Sequence, residues 1–426
     1  MIEQDISLLN ATEKEDRLEA LRRIAALCKS GAIKAPEVTD NVNNHIHTTY
    51  SFSPYSPTKA MYAAWQSGLA TAGIIDHDTI AGAEEFIEAG KIIGMAATIG
   101  VECRCDMSGA PFNGRLINSP DQKSIAYLTI HGVPHQNIGK VQDFLTPYRE
   151  NRNKRNRAMV DKINKLPELG GITLDFDADV VPLSQYRDGG TVTERHLLFA
   201  LSMKLIDKTG KGQALIDFLE NNLKIAVTGG NRERLMDAGN AMYAYFLLNV
   251  LKGQLVERFY IDAADECPPV TAFIKLCGEV GAISAYPYLG DVSDSVTGDK
   301  KTLKFEDDYL DRLVEYLAGA GFNALTYMPT RNTMAQLTRV MALCEKHGLF
   351  QISGEDINSP FQSFVCAALE KPEFKRLITS TWALIGHEKA AAKQQSAGMF
   401  SPETIAAMPE LKERTEWFAR LGRGEG

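Results

Sequence analysis

Three short polar strings, each at the end of an apolar run, constrain the fold of this chain most. They are His45-Ile46-His47, Asp76-His77-Asp78 and Glu102. The intervals from His47 to His77 and from His77 to Glu102 are 30 and 25 residues, about the length of one strand-helix-strand unit. Two His at positions i and i+2 of a strand point to the same face. The pattern predicts an α/β fold in which successive strands deliver imidazoles and carboxylates to one edge.

That edge is predicted to hold a metal ion. Imidazoles and carboxylates at the C-terminal ends of successive strands are how α/β barrels assemble metal sites. Each His taken alone is better explained as a core or surface residue, and an H-x-H pair is a weak signal. Recurrence at three strand ends favours the metal centre, because a structural explanation must account for each string separately.

The composition limits the protein class. A chain of 426 residues has room for one large barrel with additions, or for two domains. No apolar run approaches the 18 residues of a membrane span, and the acidic start lacks the pattern of a secretory signal. Seven scattered Cys without framework spacing predict reduced thiols and a cytoplasmic protein. The formal charge of −8 argues against a general nucleic-acid surface.

The apolar pattern predicts seven strands separated mostly by helices, and therefore a parallel sheet closed into a barrel. The predicted strands cover 42–47, 72–75, 96–101, 124–130, 282–286, 324–327 and 350–353. A helical extension is predicted over 1–41, with a capping box from Thr12 to Glu15 opening a helix over 11–30. The barrel is predicted over 42–386 with a mostly helical insertion over about 175–262. A helical tail is predicted over 387–426.

With these strings identified, the chain resembles the PHP superfamily, named for polymerase and histidinol phosphatase. Residues 44–48, 75–79, 100–102 and 353–356 look like four of the family motifs, in the expected order. The resemblance implies a distorted seven-stranded (β/α) barrel with metals at the C-terminal strand ends. A helix predicted over 148–166, rich in Arg, and the string 193–196 resemble the branch of small phosphoesterases that act on nucleotides or RNA ends.

The chain also departs from the family pattern. Phe52 stands where the family usually has Asp, and Asn358 where the final motif has His. Tyr286 occupies the His position of an A-H-P motif. One more family His falls either at Tyr127 or at His131, and the sequence leaves both registers open.

The resemblance implies one or two divalent transition-metal ions (Zn, Mn or Fe). The candidate ligands can be grouped by the family's three metal positions. The first position would use four intact ligands, which are His45, His47, Glu102 and Asp356. The second would share Glu102 and add His131 or Tyr127, with Tyr286 in place of a His. In the third, only His77 remains between Phe52 and Asn358.

The resemblance further implies hydrolysis of a small phosphorylated molecule, with a nucleotide among the candidates. Glu102 would bind metal, and His77 would act as general acid or base. Arg195, with Arg152 and Arg155, would hold the phosphate, and His196 would contact the substrate.

Several alternatives stay open. The Arg run is equally explained as a solvated helix face, and His131 and His196 as structural residues. The protein could be a metal-dependent hydrolase or lyase of other specificity, or a metal-binding protein that has lost catalysis. No membrane partner is expected. The sequence does not indicate the oligomeric state.

Overall fold

A single seven-stranded sheet organises the protein. The computed structural model describes residues 2–291 and 304–425. Within them the strands are hydrogen-bonded in chain order from first to last. They are β1 (Val42–Ile46), β2 (Thr71–His77), β3 (Ala96–Asp106), β4 (Ile125–His131), β5 (Ile283–Pro287), β6 (Ala324–Tyr327) and β7 (Phe350–Ser353).

The sheet curves until its two edges meet. Beyond the end of β7, the Ile357 N–H donates to the His45 carbonyl at 3.0 Å, and the His47 N–H donates to the Ile357 carbonyl at 2.9 Å. These two bonds form a parallel bridge between β1 and the segment after β7, which nearly closes the barrel. The predicted fold class, an α/β distorted seven-stranded barrel with helical additions, is confirmed.

The prediction of a wholly parallel sheet is wrong at β4. This strand pairs antiparallel with both β3 and β5, while the other neighbours are parallel. Residues 107–124, which connect β3 to β4, contain no helix. Without a helical crossover the chain folds back beside β3, which is the antiparallel arrangement. As a result, the first residues of β4 lie at the end of the barrel where the parallel strands have their C-termini.

Sixteen helices of four or more residues in α conformation surround the sheet in the described ranges. They are α1 (Ile2–Leu8), α2 (Lys14–Lys29), α3 (Pro57–Gln66), α4 (Ala83–Ile93), α5 (Ile138–Ile163), α6 (Glu194–Thr209), α7 (Gln213–Asn221), α8 (Gly229–Met236), α9 (Tyr243–Gln254), α10 (Val256–Phe259), α11 (Val270–Val280), α12 (Leu310–Ala320), α13 (Met334–His347), α14 (Lys375–Lys393), α15 (Pro402–Ala407) and α16 (Leu411–Arg423). None of them combines the length and the apolarity needed to span a bilayer.

The N-terminal helix starts differently from the prediction. Helix α2 begins at Lys14, and its N-cap residue Glu13 makes no side-chain cap, so the predicted box from Thr12 to Glu15 is wrong. Arg17 supplies the local order instead. It donates to the Ala11 and Thr12 carbonyls at 2.8 and 2.7 Å. Its guanidinium also forms a buried ion pair with Glu85 of α4.

Helices α6–α10 lie between residues 175 and 262, where the insertion was predicted. Their apolar side chains form a hydrophobic cluster of their own, separate from the cluster around the barrel strands. Phe52, from the loop after β1, belongs to this second cluster. The insertion therefore packs against the loop that follows His47.

Helix α14 contacts strands β1 and β3. It begins at Lys375, within the range predicted for the barrel, and continues past residue 387. Thr381 accepts a hydrogen bond from Asn44 of β1, and Glu388 accepts one from Thr98 of β3, both at 2.8 Å. Helix α16 lies so close to α14 that a Cβ on Gly386 would meet the Phe418 carbonyl oxygen at 1.9 Å.

Candidate metal centre

Three imidazoles converge on one carboxylate oxygen. Glu102 Oε2 lies 3.1 Å from His77 Nδ1, 3.8 Å from His45 Nε2 and 3.9 Å from His47 Nε2. Ligand atoms of His45, His47 and Glu102 all lie within 4.8 Å of one another. The centre is therefore built where β1, β2 and β3 lie side by side.

The strands position these groups in register. His77, the last residue of β2, pairs directly with Glu102 of β3. Glu102 lies inside β3, which continues to Asp106, so the prediction that this strand ends at Glu102 is wrong. His45 lies in β1, and His47 is the first residue after this strand. Both side chains lie on the same side of the strand.

Asp356 completes the group from the other edge of the sheet. Its Oδ1 lies 3.3 Å from His47 Nε2. The Ile357 bridge that closes the barrel holds Asp356 beside β1. All four predicted ligands of the first metal position therefore lie together.

The electrostatics keep both carboxylates negative. Burial would raise the pKa of Glu102, but the neighbouring His45 and His77 hold it below its ordinary value. Burial would likewise raise the pKa of Asp356, and the facing His47 holds it well below its ordinary value. For His47 itself, burial and the neighbouring His77 lower the pKa.

His131 is placed deeper in the barrel than Glu102. In the antiparallel pairing of β3 with β4, Gly100 faces His131, Glu102 faces Thr129 and Arg104 faces Tyr127. Burial lowers the pKa of His131 to about 3, and the nearby charge of His45 adds to this effect. The Tyr127 hydroxyl accepts a hydrogen bond from Arg104 Nε at 2.9 Å.

Two buried nitrogens test whether a cation would fit here. Among the described residues, His47 Nε2 and His131 Nε2 have no hydrogen-bond partner of acceptable geometry. An unpartnered buried polar atom costs about 1–3 kcal/mol, and a metal ion would satisfy it. Two imidazoles, a buried carboxylate and a further carboxylate are also a donor set that suits Zn²⁺, Mn²⁺ or Fe²⁺. The residues present therefore fit a divalent transition metal.

The replaced family positions have other partners. Tyr286 is fully buried and donates its hydroxyl proton to Glu306 at 3.2 Å. Phe52 packs edge-on against His196, with the ring centroids 4.9 Å apart. Asn358 donates from Nδ2 to Asp356 Oδ1 at 2.7 Å.

Two of the predicted phosphate-binding arginines lie in a buried group of alternating charges, here called the arginine–carboxylate cluster. Its members are Arg104, Arg152, Arg155, Asp78, Glu194 and Glu266.

Arg152 bonds Asp78, the neighbour of His77, and its Nη2 lies 3.4 Å from Glu194. Arg155 contacts Glu194 and Glu266, both at 2.5 Å. Arg152 and Arg155 are therefore not part of a solvated helix face, and their guanidinium groups pair with carboxylates. Their role in phosphate binding stays a prediction.

Arg195 and His196 lie in the first turn of helix α6, near the loop after β1. The Arg195 guanidinium carbon lies 5.9 Å from the Phe52 ring centroid, and its charge contributes to the low pKa of Asp356. His196 is buried, and its Nδ1 accepts the Thr193 backbone N–H at 3.0 Å as part of a capping box. Arg195 is therefore the predicted arginine placed toward the metal ligands, whereas His196 stabilises the start of α6.

Two residues behind His47, Ser51 and Asp76, have no assigned role in the sequence predictions. Ser51 lies within hydrogen-bonding distance of His47 Nδ1, at 3.3 Å, and donates to Asp76 at 2.6 Å. Ser51 lies in the loop after β1, whereas Asp76 lies in β2, 25 residues further along the chain. Only the pairing of β1 with β2 brings them together, so the sequence carries no usable signal for this contact.

Comparison with known proteins extends the fold assignment. No family model matches the chain. A 5'-3' exoribonuclease of Haemophilus influenzae is 35% identical over 72 residues, which are 17% of this chain and 26% of that relative. The match thus spans about a quarter of the relative's length.

Two solved structures align over most of the chain. One, from Bifidobacterium adolescentis and described as a metal-dependent phosphoesterase, has a TM-score of 0.50 and 18% identity, covering 81% of this chain and 96% of its own. The other, an amidohydrolase of Chromobacterium violaceum with bound sulfate and no metal, has a TM-score of 0.50 and 17% identity, covering 76% and 90%. The protein shares their fold.

Proposed function

We propose that the protein is a metal-dependent phosphoesterase that hydrolyses a small phosphorylated molecule, with nucleotides as the favoured class. The observation that carries the proposal is the convergence of three imidazoles on Glu102 Oε2, at 3.1 to 3.9 Å. The names of two similar proteins, a phosphoesterase and an exoribonuclease, support phosphate-ester chemistry. The charge of −8 favours a small substrate over a long nucleic acid.

His45, His47, Glu102 and Asp356 would hold the metal. When bound, a divalent ion of this kind lowers the pKa of a coordinated water toward neutrality and polarises a phosphate oxygen. The unpartnered Nε2 of His131 makes it a better second-position ligand than Tyr127, whose hydroxyl is bonded to Arg104. One ion at the four-ligand set is the core of the proposal, and a second ion would use Glu102 and His131.

Other residues would handle the proton and the phosphate. The His77 side chain is 25% exposed, against 1% for His47, so it is the imidazole accessible to a substrate proton. Arg195 is the cation we assign to the phosphate, since it lies near Asp356. In this proposal Arg152 and Arg155 contribute mainly by holding α5 and α6 in place around the site.

The test combines metal analysis with turnover. Protein stripped with a chelator is reloaded with Mn²⁺, Zn²⁺ or Fe²⁺ and dialysed, and bound metal is measured by elemental analysis. Phosphomonoesters, phosphodiesters and nucleotide bisphosphates are then screened for phosphate release. The His45→Ala/His47→Ala variant is expected to lose both bound metal and turnover. His347→Ala, at the end of α13, is the matched control and is expected to keep both.

Three results would change the assignment. Full metal retention in the double variant would exclude this ligand set. Turnover confined to lactones, amides or carbonyl substrates would assign the protein to the hydrolases or lyases of other specificity. Tight metal binding without any turnover would make it a binding protein that has lost catalysis.

A further inference from the structure

A buried hydrogen-bond chain lies behind His47, on the side away from Glu102. Asp76, with 1% exposure, accepts three short hydrogen bonds. The Thr48 N–H and the Ser51 hydroxyl donate to Oδ1, and the Thr48 hydroxyl donates to Oδ2, each at 2.6 Å. Ser51 Oγ also lies 3.3 Å from His47 Nδ1. Ser51 therefore connects a carboxylate to one of the predicted metal ligands.

Counting protons along this chain determines which nitrogen of His47 is protonated. A hydroxyl carries one proton, and Ser51 gives it to Asp76. The Ser51 oxygen can then only accept a hydrogen bond from His47. The Nδ1 atom of His47 must therefore carry the proton and act as the donor. The second nitrogen, Nε2, consequently carries a lone pair that points to the carboxylates of Glu102 and Asp356.

A lone pair facing two carboxylate oxygens is unfavourable unless a cation lies between them. The Nδ1–H form is therefore the tautomer that suits a site holding a metal ion. Without an ion, its Nε2 lone pair faces two carboxylates unfavourably. Carboxylates that orient a ligating His through its second ring nitrogen are general in metal proteins. Here a hydroxyl stands between the carboxylate and the ring.

We propose that Ser51 and Asp76 are positioning residues that hold His47 in the Nδ1–H tautomer and aim Nε2 at the metal. The proposal rests on the metal site proposed above. Neither residue contacts the metal or substrate. Both act through the ring of His47.

Thr48 offers a matched control, because it bonds the same carboxylate without contacting His47 Nδ1. Ser51→Ala and Thr48→Val each remove one hydroxyl donor to Asp76 at 2.6 Å. Thr48→Val also removes the acceptor for the Tyr50 N–H at 3.2 Å, so it should lose at least as much stability as Ser51→Ala, measured as urea midpoints. Only Ser51→Ala removes the acceptor for His47 Nδ1.

The decisive measurements are metal affinity and tautomer state. Full-length protein stripped of metal is titrated with Zn²⁺ and with Mn²⁺. Ser51→Ala is expected to raise the dissociation constant about 10- to 100-fold, as is usual for loss of a partner behind a ligating His. Thr48→Val is expected to stay within about threefold of the wild type, since the His47 tautomer is unchanged.

Long-range ¹H–¹⁵N spectra of His-labelled, metal-free wild type report the tautomer directly. His47, assigned by the signal lost in His47→Gln, is expected in the Nδ1–H form. An Nε2–H form, or equal metal affinity in Ser51→Ala and the wild type, would overturn the proposal. The spectra also decide the question if Ser51→Ala does not fold. A wild type that binds no metal would instead refute the metal site itself.

Discussion

Removing the guanidinium of Arg155 is expected to destabilise the folded protein by about 3–5 kcal/mol, the usual cost of breaking a buried ion pair. Its side chain is 6% exposed, and it contacts Glu194 and Glu266 at 2.5 Å. It also donates to the Ile261 carbonyl at 2.9 Å. Arg155→Met keeps most of the apolar volume but leaves three cluster carboxylates facing two arginines.

Restoring the charge balance should recover part of this loss. Glu266→Gln in the Arg155→Met background leaves two carboxylates against two arginines in the arginine–carboxylate cluster. The double variant is expected to lose at least about 2 kcal/mol less than the sum of the two single losses, because residues in one network are coupled. Free energies of unfolding from urea titration, followed by far-UV circular dichroism, measure all three values.

Arg157 on the same helix is the control. Its side chain is 51% exposed and pairs with the exposed Asp177 at 2.6 Å. Arg157→Met should therefore cost less than about 1 kcal/mol. If Arg155→Met also loses less than 1 kcal/mol and instead raises KM for a phosphate ester, then Arg155 binds substrate as the sequence predicted, and the structural explanation is refuted.

Two further predictions concern Glu306 and Gly386. Burial raises the pKa of Glu306 from 4.5 to about 7. The folded state thus keeps this proton to higher pH than the unfolded chain does, and its contribution to stability falls as the pH rises from 4.5 to 7. Relative to wild type, Glu306→Gln should be more stable at pH 8 than at pH 4 by about 3 kcal/mol in urea unfolding, and a difference independent of pH would contradict the assignment. Gly386→Ala should destabilise the protein by about 1–3 kcal/mol or more, because its Cβ would meet the Phe418 carbonyl, whereas Gly278→Ala, with nothing within 4 Å, should be neutral or slightly stabilising. Thermal unfolding compares the two, and equal shifts would show that α14 and α16 separate at little cost.

Much of the barrel could be predicted from the sequence because its strands are apolar runs separated by amphipathic helices. The runs over 324–327 and 350–353 coincide with β6 and β7, and the other five strands are displaced by one to five residues at their ends. The direction of β4 could not be predicted from its apolar pattern, because that pattern is the same in parallel and antiparallel strands. Only the lack of a helical pattern in 107–124 could have indicated it.

The candidate metal ligands could also be predicted from the sequence, because imidazoles and carboxylates stand out at the ends of apolar runs. His45, His47, Glu102 and Asp356 do lie together. The ion-pair partners of the charged residues could not be predicted from the sequence. Arg152 on α5 has the same local pattern whether it faces water or Asp78, since the opposing carboxylates come from distant segments. The position of α14 against β1 and β3 depends on tertiary packing and has no local signature.

The bridge through Ile357 that joins the two edges of the sheet has a consequence for synthesis. A nascent chain exposes His45, His47 and Glu102 early, but Asp356 and the partner edge of β1 leave the ribosome only after the insertion and β7. Until then the first strand presents an unpaired edge, which is prone to wrong pairing. The full ligand set of the proposed metal centre can therefore form only after β7 and Asp356 have been translated.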